Sequence, residues 1–561
     1  MKQIVFVVIF CVVNSACSKA KQGFNAEIHQ DVLENIYEEA VTNGRAVYSF
    51  WEQYSAVNFA EYGFYGDITI DGTVEKGQRN SIQQGRQLFT VATWYRVGVQ
   101  SETAALIAYN QFRYLIEAFH DPENKEFYID DVDKPNKSPN RRLYNNSFAI
   151  YGLTHYYLAF HDHPNETYRE AAHEALAIAI ECFKAMDQRA HDADYLGYQQ
   201  IPVNGLADNE MRLDGGDKEA NTHIHIMEAL TSLYEAWLLR NNSVRDILPP
   251  EAYAYAEENL LPRLDEILVD VVAGRFCVED GERAYCRTEF TRDWTLVNDR
   301  FFSFAHDIET AWLFMEALRV MGTEVSNREA VVSMAKKLIH TVFEHGLIQE
   351  DNGYASIALG RIPDYSVYSD NKDWWQHFEA IAGLYYGARI VESEELQARY
   401  LNRILDLFTY LDEGGLKVVL DEGVWEYRWH NRLANEWKAG YHTVRALLFV
   451  KEWIEEDLPV MSTRTGYDNE KNQPVQWSLG QNYPNPFNPS TRIPYTLKDA
   501  ANVTLEIYDV TGRKVRSYGQ GYQNPGKHTL EFSAHKLPTG IYVYMISAGT
   551  FSKSRIMTFL R

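Results

Sequence analysis

Ser326-Asn327-Arg328-Glu329-Ala330-Val331-Val332-Ser333-Met334-Ala335-Lys336-Lys337-Leu338-Ile339-His340-Thr341-Val342-Phe343-Glu344-His345-Gly346 is the stretch that decides the fold class. Val332, Met334, Ala335, Leu338, Ile339 and Val342 line one stripe at helical spacing. The same period recurs near 31–54, 81–98, 101–121, 147–162, 166–187, 221–241, 251–271, 304–321, 374–392, 394–411 and 434–454. With the quoted stretch these are twelve segments, or six pairs. A ring of six helical hairpins, with an inner and an outer layer, is a natural way to bury so many apolar stripes. The expected architecture of this part of the chain is therefore an all-α (α/α)6 barrel, although a helix count alone does not establish closure.

The connections 121–143, 188–220, 272–303 and 347–373 are long and rich in Asp, Asn, Gly and aromatics. Long connections of this kind usually carry function, and four on one barrel face would wall a deep pocket. They contain short β-like pieces such as Glu126-Phe127-Tyr128-Ile129. From about 458 the helical period stops, and 457–476 reads as a polar linker. Beyond it Val503, Leu505 and Ile507 alternate with Thr504, Glu506 and Tyr508, and Ile541, Val543 and Met545 with Tyr542 and Tyr544. A small all-β, immunoglobulin-like sandwich over 477–561 is expected, after a barrel over 25–456.

The chain has 561 residues and a formal net charge of −24, which would repel a phosphate backbone, so nucleic acid is not an expected partner. The 12 Trp, 37 Tyr and 27 Phe suit sugar faces, but a large helical core also consumes aromatics. Lys2, the apolar run Ile4 to Val13 and the small residues Ser15-Ala16 read as a signal peptide over 1–16. No other stretch is apolar and long enough for a transmembrane segment. Cleavage before Cys17 would suit lipidation, but Asn14 stands where such signals usually carry Leu or Val. Cys277 and Cys286 bracket a hairpin tip and are either bridged, as an exported protein allows, or two free thiols.

The tail carries Leu479-Gly480-Gln481-Asn482-Tyr483-Pro484-Asn485-Pro486-Phe487-Asn488-Pro489-Ser490-Thr491, Tyr508-Asp509-Val510-Thr511-Gly512-Arg513, Leu537-Pro538-Thr539-Gly540-Ile541-Tyr542 and a basic ending from Lys553 to Arg561. It closely resembles the C-terminal sorting domains of the type IX secretion system of Bacteroidetes-like bacteria. The resemblance implies that type IX machinery is a partner and that the protein is secreted or held at the cell surface. A carbohydrate-binding module is the competing reading of so small a sandwich.

Four spots concentrate His, Glu, Trp and Arg in the helical region. In His306-Asp307-Ile308-Glu309-Thr310-Ala311-Trp312, positions 306, 309 and 312 drift along one helix face, so Glu309 is placed to orient His306 and raise its basicity. Asn221 and His225 share a face, while His223 and His225, two apart, do not, which argues against a chelating pair. Trp375 and Glu379 share a face in Trp374-Trp375-Gln376-His377-Phe378-Glu379. Trp437-Lys438-Ala439-Gly440-Tyr441-His442 stands at the start of the last helix. Taken singly, each spot reads as well as packing.

Together, and with Gln84-Gly85-Arg86 and Tyr144-Asn145-Asn146-Ser147-Phe148, these spots resemble the N-acylglucosamine/cellobiose 2-epimerase family over roughly residues 31 to 454, in family order. Gly440 stands where the family often has Pro, and Ala305 where Gly is common. The resemblance implies epimerisation at C2 of a reducing-end sugar, by ring opening and an enediolate, with no cofactor and no metal. His306 and His442 would be the acid–base pair. Glu309 would set the charge of His306, and His225 with Asn221 would assist ring opening. Arg86 would stabilise the enediolate. Tyr144, Trp312, Trp375 and Trp437 would bind and stack the sugar, and Glu379 would bind hydroxyls. The double Trp374-Trp375 favours a β-1,4-linked disaccharide of the mannobiose or cellobiose kind. The alternatives are an aldose–ketose isomerase, an N-acylglucosamine 2-epimerase, a glycoside hydrolase using Glu309 and Glu379, and a non-catalytic sugar-binding protein.

Overall fold

The computed structural model describes residues 24–559 apart from 56–62, 66, 76–78, 99, 130–141, 200–216, 298–299, 351–352, 357–358, 363, 370–372, 414–415, 420–424, 428–431, 436–437, 460–477, 480–481, 483–486, 488, 498–499, 510–512, 524–525, 535–536 and 550. The signal peptide, Cys17, Trp437 and nearly all of the linker lie outside the described residues. The described residues fall into two compact units, one ending near Pro459 and one running from Ser478.

Among the described residues of the first unit, twelve long helices follow one another: α1 Gln30–Ser55, α2 Ser81–Val97, α3 Glu102–Phe119, α4 Leu143–Phe160, α5 Glu166–Ala190, α6 Ala220–Leu239, α7 Pro250–Asp265, α8 Phe304–Met321, α9 Arg328–Thr341, α10 Trp374–Ile390, α11 Glu394–Glu413 and α12 Tyr441–Asp457. The even-numbered helices pack in the order α2, α4, α6, α8, α10, α12, and α12 returns to α2, so the inner ring closes. The odd-numbered helices form the outer layer, each packed on its inner partner or neighbour. Closure explains why α4 is buried on nearly every side: it has helices on all flanks and no solvent face to keep polar. Among the described residues, no helix is long and apolar enough to cross a membrane.

Three local expectations are corrected. On α9 the buried stripe is Val331, Met334, Ala335, Leu338 and Ile339; Val332 lies off that stripe and is only partly buried. The fourth segment begins at Leu143, not 147, because Asn145 caps it by accepting from Arg142 N at 2.7 Å. The last segment begins at Tyr441, not near 434. Arg432–Ala434 is instead a strand paired with Asp67–Thr69. A Cβ at Gly440 would stand 2.8 Å from Thr90 and 2.9 Å from Trp51, which accounts for glycine at the turn into α12.

Glycine also sets the closest contact of the inner ring. A Cβ on Gly85 of α2 would stand 2.6 Å from the Phe148 carbonyl oxygen, and one on Gly152 of α4 would stand 2.5 Å from that of Gly85. With hydrogen in those places the two backbones meet directly.

The second unit holds two antiparallel sheets. One orders Ser478–Leu479, Ser490–Leu497 and Gly526–Ser533; the other orders Lys514–Gln523, Ala501–Asp509, Gly540–Ala548 and Phe551–Phe559. Leu479, Ile493, Val503, Leu505, Ile507, Phe532, Tyr544 and Ile546 share its core. On Gly540–Ala548 it is Tyr542, Tyr544 and Ile546 that point inward, and Ile541 is exposed. Asn482 donates from its backbone to the Tyr544 hydroxyl at 2.9 Å and from its side chain to Thr491 Oγ1 at 3.0 Å. These sequence-motif residues thus hold the unit together.

Candidate active site

Every described site residue that the sequence singled out lies in the first three turns of an inner helix: Arg86 on α2, Tyr144 on α4, Asn221 and His225 on α6, His306, Glu309 and Trp312 on α8, Trp374, Trp375 and Glu379 on α10, and His442 on α12. Ring contacts bring these ends together. Tyr144 lies 5.3 Å from His225, Phe148 5.3 Å from Tyr441, His306 5.0 Å from Trp375, and Trp375 5.3 Å from His442. Helix N-termini carry partial positive charge, so their convergence favours an anion.

Arg86 Nη2 donates to the Tyr144 hydroxyl at 2.9 Å, and its guanidinium lies 4.1 Å from the Phe148 ring. Burial pushes the Tyr144 phenol up, with Arg86 opposing. His225 Nδ1 meets Glu228 Oε2 at 3.0 Å. Burial opposes ionisation of Glu228, but Arg445, His225 and Tyr441 outweigh it and hold its carboxyl at about 2.

His306 Nδ1 pairs with Ser303 Oγ at 2.8 Å, and Ser303 also caps α8 by accepting from His306 N. Glu309 does not take that nitrogen: its Oε1 accepts from Arg445 Nη2. Burial pushes the His306 imidazole below its ordinary value, against the pull of Glu309. His442 Nδ1 meets Glu379 Oε1 at 2.7 Å, and Trp312 Nε1 donates to Glu379 Oε2 at 2.9 Å. Burial also pushes His442 well below its ordinary value; Glu309 opposes this, while Arg445, Arg86 and His225 reinforce it. Trp312 and Trp374 are buried, whereas Trp375 is half-buried and borders a cavity of about 430 Å³. That cavity is also lined by Asn221, His306, Ser303, Asp307 and Arg287.

Arg445 is the hub that sequence reading passed over. It is buried and donates to Glu228, Glu309 and Glu379 and towards the Tyr441 hydroxyl. Glu309, Glu379 and His442 offer donor atoms within 4.8 Å of one another, and the guanidinium already stands among them. The signal for Arg445 was local: it follows Tyr441 by four and His442 by three, so it shares their helix face. Glu228 likewise follows His225 by three.

Comparison with known proteins agrees with this geometry. The family described as N-acylglucosamine 2-epimerase (GlcNAc 2-epimerase) matches residues 63–245 and 251–446, and the secretion system C-terminal sorting domain matches 481–557. The cellobiose 2-epimerase of Bacteroides fragilis is 28% identical over 409 residues, covering 68% of this chain and 90% of the relative. That of Dictyoglomus turgidum is 22% identical over 424 residues, covering 72% and 94%. Among solved structures, cellobiose 2-epimerase from Bacillus thermoamylovorans has a TM-score of 0.59 at 22% identity, covering 76% of this chain and all of that one. A D-mannose isomerase has 0.54 at 16%, covering 75% and 97%, which speaks to the fold. An inner ring that closes around converging His, Glu and Arg side chains, matched over most of its length by one family, makes the chain a member of the N-acylglucosamine 2-epimerase family, a carbohydrate-epimerising isomerase with a C-terminal sorting domain.

Proposed function

We propose that the barrel inverts C2 at the reducing end of a β-1,4-linked disaccharide, of the cellobiose or mannobiose kind, through ring opening and an enediolate. One observation carries this reading. His306 and His442 come from different helices, lie against the same Trp375 ring, and have Nδ1 already engaged, by Ser303 and Glu379. Nε2 is then the nitrogen of each that exchanges protons, and burial favours the neutral, basic form. One imidazole takes the C2 proton while the other, protonated, returns one to the opposite face. Glu379 stabilises the imidazolium on His442. Glu309, through Arg445 and its charge near both imidazoles, sets the field between them. Arg86 and the helix N-termini stabilise the enediolate. His225, held by Glu228, acts with Asn221 on O1 during ring opening, and Tyr144, Trp375 and Trp437 hold the sugar. Trp312 and Glu379 support His442 rather than touch hydroxyls. The relatives named cellobiose 2-epimerase support the choice of a disaccharide.

The proposal extends to the whole chain: a leader over 1–16, the catalytic barrel over 25–456, a linker over 457–476, and an immunoglobulin-like sandwich over 477–561 that hands the protein to type IX machinery for release or display at the cell surface. The test of the activity is incubation with cellobiose or mannobiose in D2O, followed by NMR at C2. Deuterium at C2 of both epimers, lost in His306→Ala and His442→Ala, is the expected result. A ketose product would move the assignment to an aldose–ketose isomerase, and free monosaccharide to a hydrolase.

A further inference from the structure

The connection from α7 to α8 does more than join them. Cys277–Asp280 pairs antiparallel with Arg283–Cys286, with Cys277 opposite Cys286, and the two are bridged by a disulfide. This settles the alternative left open by the sequence. Beyond the bridge, Arg287 N donates to Phe276 O at 2.8 Å, and Thr288 O accepts from Ala220 N, the first residue of α6, at 2.9 Å. Glu289–Phe290 then pairs with Lys218–Glu219. On its other side the same strap reaches α8: Cys286 N donates to Asp307 Oδ1 at 3.0 Å. The last residue of the hairpin and the three that follow it, Cys286 to Glu289, thus tie the start of α6, which carries Asn221 and His225, to the start of α8, which carries His306. Its residues Cys286 to Glu289 wall the same cavity as Asn221, His306 and Trp375.

Asp307 is an odd residue to find there. It is 1% exposed, and Oδ2 has no hydrogen-bond partner among the described residues. Burial pushes its carboxyl well up, with only the Cys286 amide opposing. An apolar side chain would fill the space without an unsatisfied oxygen. What Asp307 supplies and an apolar residue cannot is a fixed acceptor for the strap.

We propose that Asp307 is a positioning residue for His306, and that the Cys277–Cys286 disulfide is the clasp that makes its anchor, the Cys286 amide, rigid. The clasp acts on geometry: it holds the first turn of α8 at one rotation and one distance from α6. A disulfide closing so short a connection (a sequence separation of 9) restrains the strap even where its other hydrogen bonds open. It also suits a protein carrying a secretion sorting domain, because bridges persist outside the reducing cytosol. This inference rests on the reading of His306 as an acid–base group.

The test uses the full chain, with cellobiose as substrate and deuterium exchange at C2 as a second readout. The variants are Cys277→Ser/Cys286→Ser, Asp307→Ala, Asp307→Asn and His306→Ala. The wild type is also treated with dithiothreitol, which reduces the bridge to two thiols while closing to its own cyclic disulfide, with thiol titration to prove it. The expected result is a fall in kcat of about tenfold to a hundredfold in the double Ser variant, the reduced wild type and Asp307→Ala, as for a sub-ångström to ångström misplacement. KM stays within about twofold, because binding groups are untouched. Asp307→Asn keeps an Oδ1 acceptor and restores kcat to within about threefold of wild type, which a residue needed for its acidity would not do. Dithiothreitol has no effect on the double Ser variant. Wild-type kcat in the reduced protein and in the double Ser variant, with His306→Ala inactive, overturns the inference. Should His306→Ala itself keep wild-type exchange, the site reading fails first, and the clasp with it. If Asp307→Ala does not fold, the reduced wild type and Asp307→Asn decide alone.

Discussion

Glu379 holds His442: the carboxylate of the one accepts from Nδ1 of the other at 2.7 Å, across two inner helices. The same carboxylate takes Trp312 Nε1 at 2.9 Å and Arg445 Nη2 at 2.7 Å. Its oxygens are therefore engaged by protein, and in the proposed mechanism it orients the imidazole and steadies the imidazolium. Glu379→Gln keeps the size and removes the charge. It is expected to lower kcat by about a hundredfold, the range of one acid–base contribution, with little change in KM. Steady-state kinetics on cellobiose check this; a rise in KM alone would return Glu379 to sugar binding.

Arg445 is ion-paired with buried Glu228, Glu309 and Glu379 at once. Arg445→Met leaves those carboxylates around an apolar stem and is expected to destabilise the barrel by about 3–5 kcal/mol, the magnitude for breaking a buried ion pair. Arg445→Lys recovers part of it, since an ammonium cannot match the fork. Urea unfolding measures both, and equal stability of wild type and Arg445→Met would sink the idea.

Gly152 stands against the Gly85 carbonyl, in the helix pair that carries Tyr144 and Arg86. Gly152→Val forces α2 and α4 apart, with an expected loss of about 1–3 kcal/mol as in other overpacked cores. Because the Arg86–Tyr144 hydrogen bond spans that contact, KM should rise as well. Thermal unfolding and kinetics on the same sample test the two consequences together.

Acid should destabilise the barrel in two stages. His306, His442 and His155 are pushed by burial below the ordinary histidine value, so the unfolded chain binds more protons as soon as the pH falls through about 6.5. Glu228 is held at about 2, below its ordinary value; its contribution is full above the ordinary carboxylate range and is lost as the pH falls through that range towards about 2. The contributions of these four groups thus fall with falling pH through both windows, and the buried carboxyls that burial raises, Asp307 and Glu379 among them, act in the opposite sense. Calorimetric Tm at several pH values below neutrality should decline steadily, and His155→Phe should flatten the first stage. A Tm independent of pH between about 7 and 4 would contradict the assignment.

The periodicity of the chain foretold much of this arrangement. All twelve helical segments, the strand alternation of the tail and the grouping of the candidate residues near helix starts could be read in sequence, because each is a repeat or a spacing along one dimension. His225 and Glu228, three apart, or Tyr441 and Arg445, four apart, meet on a helix whatever surrounds it. The local errors came where tertiary pairing overrode period, as when Arg432–Ala434 joined a sheet with Asp67–Thr69. What only the closed ring decided is which group holds which. His306 takes Ser303 while Glu309, three residues on, turns to Arg445. His442 takes Glu379, 63 residues away. Cys277 bonds Cys286, and the strap beyond reaches Asp307. Glu309 and Arg445, and Glu379 and His442, come from different helices, and a charged or polar side chain buried without water takes whichever partner the packing brings within hydrogen-bond reach. That choice is made in three dimensions, by desolvation and distance, and leaves no pattern along the chain.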